Sequence, residues 1–168
     1  MLPRIVVMLC LITTHPAAFG AIAQWSAQAG EIRDLLALNG TVAYAATFGG
    51  GLFKSGDGGS SWTRVAALPA RYVRRLAGNA SVLYAATTVG LFKSGDGGAT
   101  WSQRLFDPVA VVALNPFDAN QVLAGVDGAG LYRSTDGAAT FSNTVAGPDS
   151  LDFAYLTFGP SADGIAYV

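Results

Sequence analysis

Carboxylates and arginines carry whatever chemistry this sequence can do. His15 and Cys10 are the single histidine and the single cysteine, and both fall in a stretch that reads as a removable leader. The remainder then has no imidazole base, no Ser-His-Asp triad, no thiolate and no cysteine-based zinc site. Glycoside hydrolysis is one reaction that two carboxylates can run, one as acid and the other as base or nucleophile. Glu31, Asp34, Asp107, Asp118, Asp127, Asp149, Asp152 and Asp163 are candidates, and their spacing pairs no two of them. Asp34, in a first strand at the level of Arg74, and Asp127, in a loop before a third strand, are the catalytic candidates. The local cationic cluster is Arg71-Tyr72-Val73-Arg74-Arg75. Arg71, Arg74 and Arg75 suit a carboxylate-bearing or phosphorylated partner; the plainer reading is a strand whose alternate residues face solvent.

The other three aspartates sit in a repeated turn. It reads Ser55-Gly56-Asp57-Gly58-Gly59-Ser60-Ser61-Trp62, Ser94-Gly95-Asp96-Gly97-Gly98-Ala99-Thr100-Trp101 and Ser134-Thr135-Asp136-Gly137-Ala138-Ala139-Thr140-Phe141. An aspartate can close such a turn by accepting backbone N–H groups one or two residues on, and the glycines supply positive φ. The aromatic residue is expected to begin a strand and to bury its ring. Each turn has one carboxylate and lacks the alternating acidic residues of a calcium loop. Asp57, Asp96 and Asp136 are therefore structural, and no metal or cofactor is expected.

The turns recur at a period of about 40 residues, which marks a repeat architecture. Before each turn come three short apolar segments. In the first repeat they are 32–38, 42–47 and 52–55, separated by Asn39-Gly40 and by Gly49-Gly50-Gly51. Asn-Gly is a hairpin signal. Four antiparallel strands per repeat make the blade of a β-propeller. Blades are expected at 31–66, 72–106 and 109–145, with a partial fourth at 151–168 whose strands fall at 153–156 and 165–168. The small residues Ala45-Ala46, Ala85-Ala86 and Ala124-Gly125 suit sheet-on-sheet packing, and that places the second strands near the propeller axis.

The pattern S-x-D-x-G/A-x-[ST]-[WF] resembles the BNR or Asp-box repeat, and the resemblance runs through 31–168. It implies an all-β propeller with Ser55, Asp57, Gly59, Trp62, Ser94, Asp96, Gly98, Trp101, Ser134, Asp136 and Phe141 as structural box residues. It also implies several functions. The sialidase motif Phe/Tyr-Arg-Ile/Val-Pro is missing, and Leu2-Pro3-Arg4-Ile5 has the wrong order. The run 115–137 is similar to xyloglucanase-type, sortilin-like and photosystem II assembly factor-like propellers alike; the last group implies an arginine-rich patch. The expected function is a non-catalytic scaffold that presents loops near 48–50, 88–89 and 127–129 to a protein or glycan. The alternative is part of a glycoside hydrolase whose catalytic residues lie mostly elsewhere.

Arg4, the apolar run 5–13 and Ala21-Ile22-Ala23 have the order of a secretory signal, cleaved after Ala23. The product is expected to be secreted or periplasmic. The apolar run is shorter than the roughly 20 residues of a membrane span. A net charge of −1 gives no electrostatic case for nucleic acid. Trp25 resembles the strand that follows each turn, and the last repeat stops in mid-strand. The chain is therefore expected to be the N-terminal part of a longer propeller. Self-association through open blade edges is the alternative.

Overall fold

The computed structural model describes residues 30–145, 155–159 and 166–167. The expected leader 1–23, the strand at Trp25, Phe153 and the turn at 161–164 lie outside the described residues.

The chain builds three four-stranded antiparallel sheets, each in simple meander order. The first holds β1 (Gly30–Ala37), β2 (Ala43–Gly49), β3 (Gly51–Ser55) and β4 (Thr63–Arg64). The second holds β5 (Val73–Gly78), β6 (Leu83–Thr87), β7 (Gly90–Ser94) and β8 (Ser102–Leu105). The third holds β9 (Val109–Leu114), β10 (Val122–Val126), β11 (Gly130–Ser134) and β12 (Ser142–Val145). A last pair, β13 (Thr157–Phe158) and β14 (Ala166–Tyr167), is antiparallel too. Tyr155 and Leu156, expected in its first strand, precede β13 instead. Leu156 and Phe158 are both buried against Val111, Ala113 and Leu123 of the third sheet, and pairing with β14 starts only at Thr157.

Each hairpin has a local cause. Asn39 closes β1 to β2 because its Oδ1 accepts the Thr41 and Val42 amides at 2.9 and 2.8 Å, and Asn79 does the same for Ser81 and Val82. The second strands β2, β6 and β10 are the most buried parts of each sheet, and Ala45, Ala46, Ala85, Ala86 and Ala124 are fully covered. Their methyl-sized side chains let neighbouring sheets stack face to face. The strands that run beside one another from sheet to sheet are the first ones, β1 with β5 and β5 with β9. The first strands, not the second, therefore form the inner edge.

The serine–aspartate turns are built more tightly than an aspartate alone would build them. Ser55 Oγ donates to Asp57 Oδ1 and accepts the Gly59 amide, both at 2.8 Å. Asp57 reaches four residues forward, where Oδ1 accepts the Ser61 amide at 2.9 Å and Oδ2 the Ser61 hydroxyl at 2.5 Å. Ser94, Asp96, Gly98 and Thr100 repeat this network, as do Ser134, Asp136, Ala138 and Thr140. The carboxylate thus spans the turn rather than closing a local Asx turn, because the serine hydroxyl already takes the nearer amides. Trp62, Trp101 and Phe141 are half-buried and stand just before the strands. The two indole N–H groups donate back to Gly59 and Gly98, so the tryptophans cap their own turns, while Trp101 and Phe141 also pack against the buried clusters.

The second and third turns also serve their neighbours. Tyr44 on β2 and Lys54 on β3 both donate to the Gly97 carbonyl in the next turn, at 2.9 and 3.2 Å. Tyr84 on β6 likewise donates to Gly137 at 3.1 Å, and Lys93 on β7 at 2.5 Å. Burial pushes the Tyr84 phenol up to about 12 and lowers Lys93, as expected for a dehydrated latch. In the third sheet Leu123 stands where the tyrosine would be. Arg133 stands where the lysine would be, and it donates to Gln121 Oε1.

Two outcomes follow. Tyr84→Phe removes one of two donors from a buried carbonyl and lowers stability by about 1 kcal/mol in urea denaturation, more than Tyr44→Phe, whose hydroxyl is less buried. The turn carboxylates set the acid limit. Hydrogen bonds from Ser61 and Thr100 hold Asp57 and Asp96 at about 2 in the folded chain, against 3.8 unfolded, and Thr140 holds Asp136 lower still. The folded state therefore binds fewer protons, and this stability is complete above about pH 4 and lost as pH falls towards 2 and below. The urea midpoint should fall steeply across that window, and the slope should flatten in Asp57→Asn, Asp96→Asn and Asp136→Asn.

Candidate functional site

The strand starts β1, β5 and β9 lie at the same end as the β2–β3, β6–β7 and β10–β11 turns, and together they form a rim. Each inner strand carries a bulge there. The ladder skips Arg33 between Ile32 and Asp34, Arg74 between Val73 and Arg75, and Ala110 between Val109 and Val111. A bulge leaves its extra residue unpaired and re-aims it, so Arg33 and Arg74 occupy equivalent rim positions. The register pairs Asp34 with Ala46 and Arg75 with Ala86. Asp34 is thus level with Arg75 and not with Arg74, a one-residue correction that the bulge accounts for.

The rim displays aromatic and charged groups side by side. Phe48 and Tyr72 are exposed, with ring centroids 4.7 Å apart and planes tilted by 57°. The Arg33 guanidinium lies 4.9 Å over the Phe48 ring and pairs with Glu31 at 3.0 Å. Arg74 pairs with Asp127 at 2.6 Å, which ties the second sheet to the third. Val89 adds an exposed apolar side chain in the β6–β7 turn.

The rim turns are held from outside by residues that sequence reasoning passed over. Arg64 donates to the Gly50 carbonyl, Gln103 to Val89 and Asn143 to Ala129, each 14 residues back. All three stand two positions after the turn aromatic, on the outer strand. A donor side chain at that fixed offset was the signal available. The Arg71 carbonyl accepts the Gly49 and Gly51 amides and locks the β2–β3 turn to the segment leading into β5.

Among the residues singled out from the sequence, the structure brings Arg74 and Asp127 together and separates their chemistry from Asp34. The Asp34 carboxylate accepts the Leu35 amide at 2.9 Å and, across the seam, the Leu76 amide at 2.8 Å. Arg75 answers by donating to the Arg33 carbonyl at 2.8 Å. This reciprocal stitch satisfies one amide and one carbonyl on the facing inner strands of two neighbouring sheets. Arg71 and Tyr72 are exposed, while Arg74 and Arg75 are half-buried. Among the described residues no group of acidic, histidine or cysteine side chains could hold a metal ion, and no helix is long and apolar enough to cross a membrane.

No family model matches the sequence, and no curated protein matches it. Solved structures do. A structure described as YCF48 bound to D1 peptide is similar with a TM-score of 0.56 at 17% identity, over 69% of this chain and 40% of that one. YCF48 from Cyanidioschyzon merolae gives 0.55 at 16% identity, over 70% and 38%. The GH74 xyloglucanase from Xanthomonas campestris gives 0.61 at 22% identity, over 77% and 22%. The chain thus spans well under half the length of each. At these identities the likeness concerns fold, and the fold is that of β-propeller blades.

Proposed function

We propose that this chain is an exported Asp-box propeller segment that binds a protein or glycan across its rim without catalysing a reaction. One observation carries the reading: the rim exposes Phe48 and Tyr72 beside Arg33 and Arg74, while the candidate carboxylates Asp34 and Asp127 are engaged by a backbone amide and by an arginine. Exposed aromatic and arginine side chains held on a rigid frame suit recognition. A carboxylate committed to a structural amide is poorly placed to act as a hydrolytic acid or nucleophile. The fold likeness to a protein whose structure is described with a bound peptide supports a protein partner. Self-association through β1, where Ile32 and Leu35 are exposed, is the remaining partner in this reading. Export rests on the Arg4, apolar run and Ala21-Ile22-Ala23 order.

A phage-displayed peptide library panned against the full chain tests the rim. Enriched peptides should bind about tenfold or more weakly to Phe48→Ala and Tyr72→Ala, a loss of about 1.4 kcal/mol. Failure to enrich any peptide that distinguishes these variants, or release of reducing ends from xyloglucan by the chain itself, would overturn the reading. For export, mass spectrometry of the protein recovered outside the cytoplasm should give an N-terminus at Gln24.

A further inference from the structure

We propose that the cleft between the β1–β2 and β5–β6 turns, at the end opposite the rim, binds a small aliphatic carboxylate. The cleft has a volume of about 210 Å³, and Leu38, Asn39, Tyr44, Lys54, Asn79 and Val82 are among the residues that line it. Its polar groups are donors whose acceptors have been used elsewhere. Lys54 Nζ spends one hydrogen on the Gly97 carbonyl at 3.2 Å, and an ammonium has three to give. Asn39 Oδ1 already accepts the Thr41 amide, the Thr41 hydroxyl and the Val42 amide. Asn79 Oδ1 accepts the Ser81 and Val82 amides. Each turn thus occupies the carboxamide oxygen of an asparagine that lines the cleft, and the remaining NH₂ group can only donate. The Tyr44 hydroxyl is turned to the same Gly97 carbonyl as Lys54.

No acidic side chain lines this space. A cation and two amide donors over an apolar wall select an anion with a hydrocarbon part. Inorganic phosphate would leave the apolar wall uncovered, and an amine would meet Lys54. The volume exceeds the roughly 150 Å³ that accommodates benzene, so an acid of about four to six carbons fits. The second seam supplies an internal control. It has the same latch, Tyr84 and Lys93 on Gly137, beneath the longer hairpin between β9 and β10. Lys93 therefore shares the latch chemistry and does not line this cleft.

The test is an amide-resolved NMR titration of the full chain with sodium butyrate, alongside 1-butanol and butylammonium chloride at equal ionic strength. Butyrate should shift the Asn79 and Gly97 amides saturably, and the two controls should bind at least about fivefold more weakly. Lys54→Met should weaken butyrate binding about tenfold or more, whereas Lys54→Arg and Lys93→Met should retain it. No saturation by about 100 mM, well above the millimolar range open to so small a ligand, would overturn the proposal. Equal binding of butanol would do so too, by reducing the cleft to an apolar void. If Lys54→Met does not fold, the comparison of butyrate with butanol on wild type and Lys54→Arg decides.

Discussion

Two turn carbonyls join the three sheets to one another. The peptide oxygens of Gly97 and Gly137 are each met by a tyrosine hydroxyl and a lysine ammonium from the preceding sheet. Such an oxygen is presented only if the two residues after the aspartate adopt left-handed backbone. Gly97 and Gly98 do so at φ 67° and 86°, and Gly137 and Ala138 at 69° and 65°. The serine and aspartate exist to hold that geometry, since the serine hydroxyl fixes the second left-handed residue and the carboxylate fixes the far end of the turn. The repeated residues are thus parts of a joint between sheets.

The opposite end is organised by the same economy. Inner strand edges would be left with open amides and carbonyls, and charged side chains satisfy some of them across the seam, Asp34 on Leu76 and Arg75 on Arg33. Those are residues that in isolation suggest catalysis or anion binding. Their engagement leaves the rim with aromatic rings, Arg33 and the Arg74–Asp127 pair as its exposed vocabulary, on turns clamped from the outer strands. A surface of this kind is rigid before anything meets it, and rigidity lowers the ordering cost of association.

Much of this was legible in the residues. The turn motif, its period and the Asn-Gly and Gly-rich punctuation give four antiparallel strands per repeat, because each signal is local and strong. The bulges were not legible, since an extra residue in β1 or β5 changes no hydrophobic count, and the level of Asp34 was misjudged by one position. The turn aromatics were legible in part. Trp101 and Phe141 pack on the core as large rings do, but residue type did not show that the indole N–H groups would also tie Trp62 and Trp101 to the Gly59 and Gly98 carbonyls of their own turns. The Tyr–Lys latch could have been suspected from the aligned pairs Tyr44/Tyr84 and Lys54/Lys93. Its acceptor is main chain, and a main-chain oxygen has no sequence signature. The roles of the two candidate carboxylates were hidden likewise, one because its partner is an amide, the other because its partner lies 53 residues away.

Ala138 bears on how the repeat tolerates change. It holds a left-handed position that glycine occupies in the other two turns, and its methyl is fully enclosed by the cluster that joins the second and third sheets. The backbone penalty for an L-residue there is about 1–2 kcal/mol, and burying one methyl-sized group returns about 0.8 kcal/mol. Burial offsets part of the penalty, so alanine is tolerated where glycine is usual. Any larger side chain would keep the penalty and find no room. Divergence at this joint therefore has a floor and a ceiling one carbon apart, which is how a repeat can lose resemblance almost everywhere else and still keep its turns.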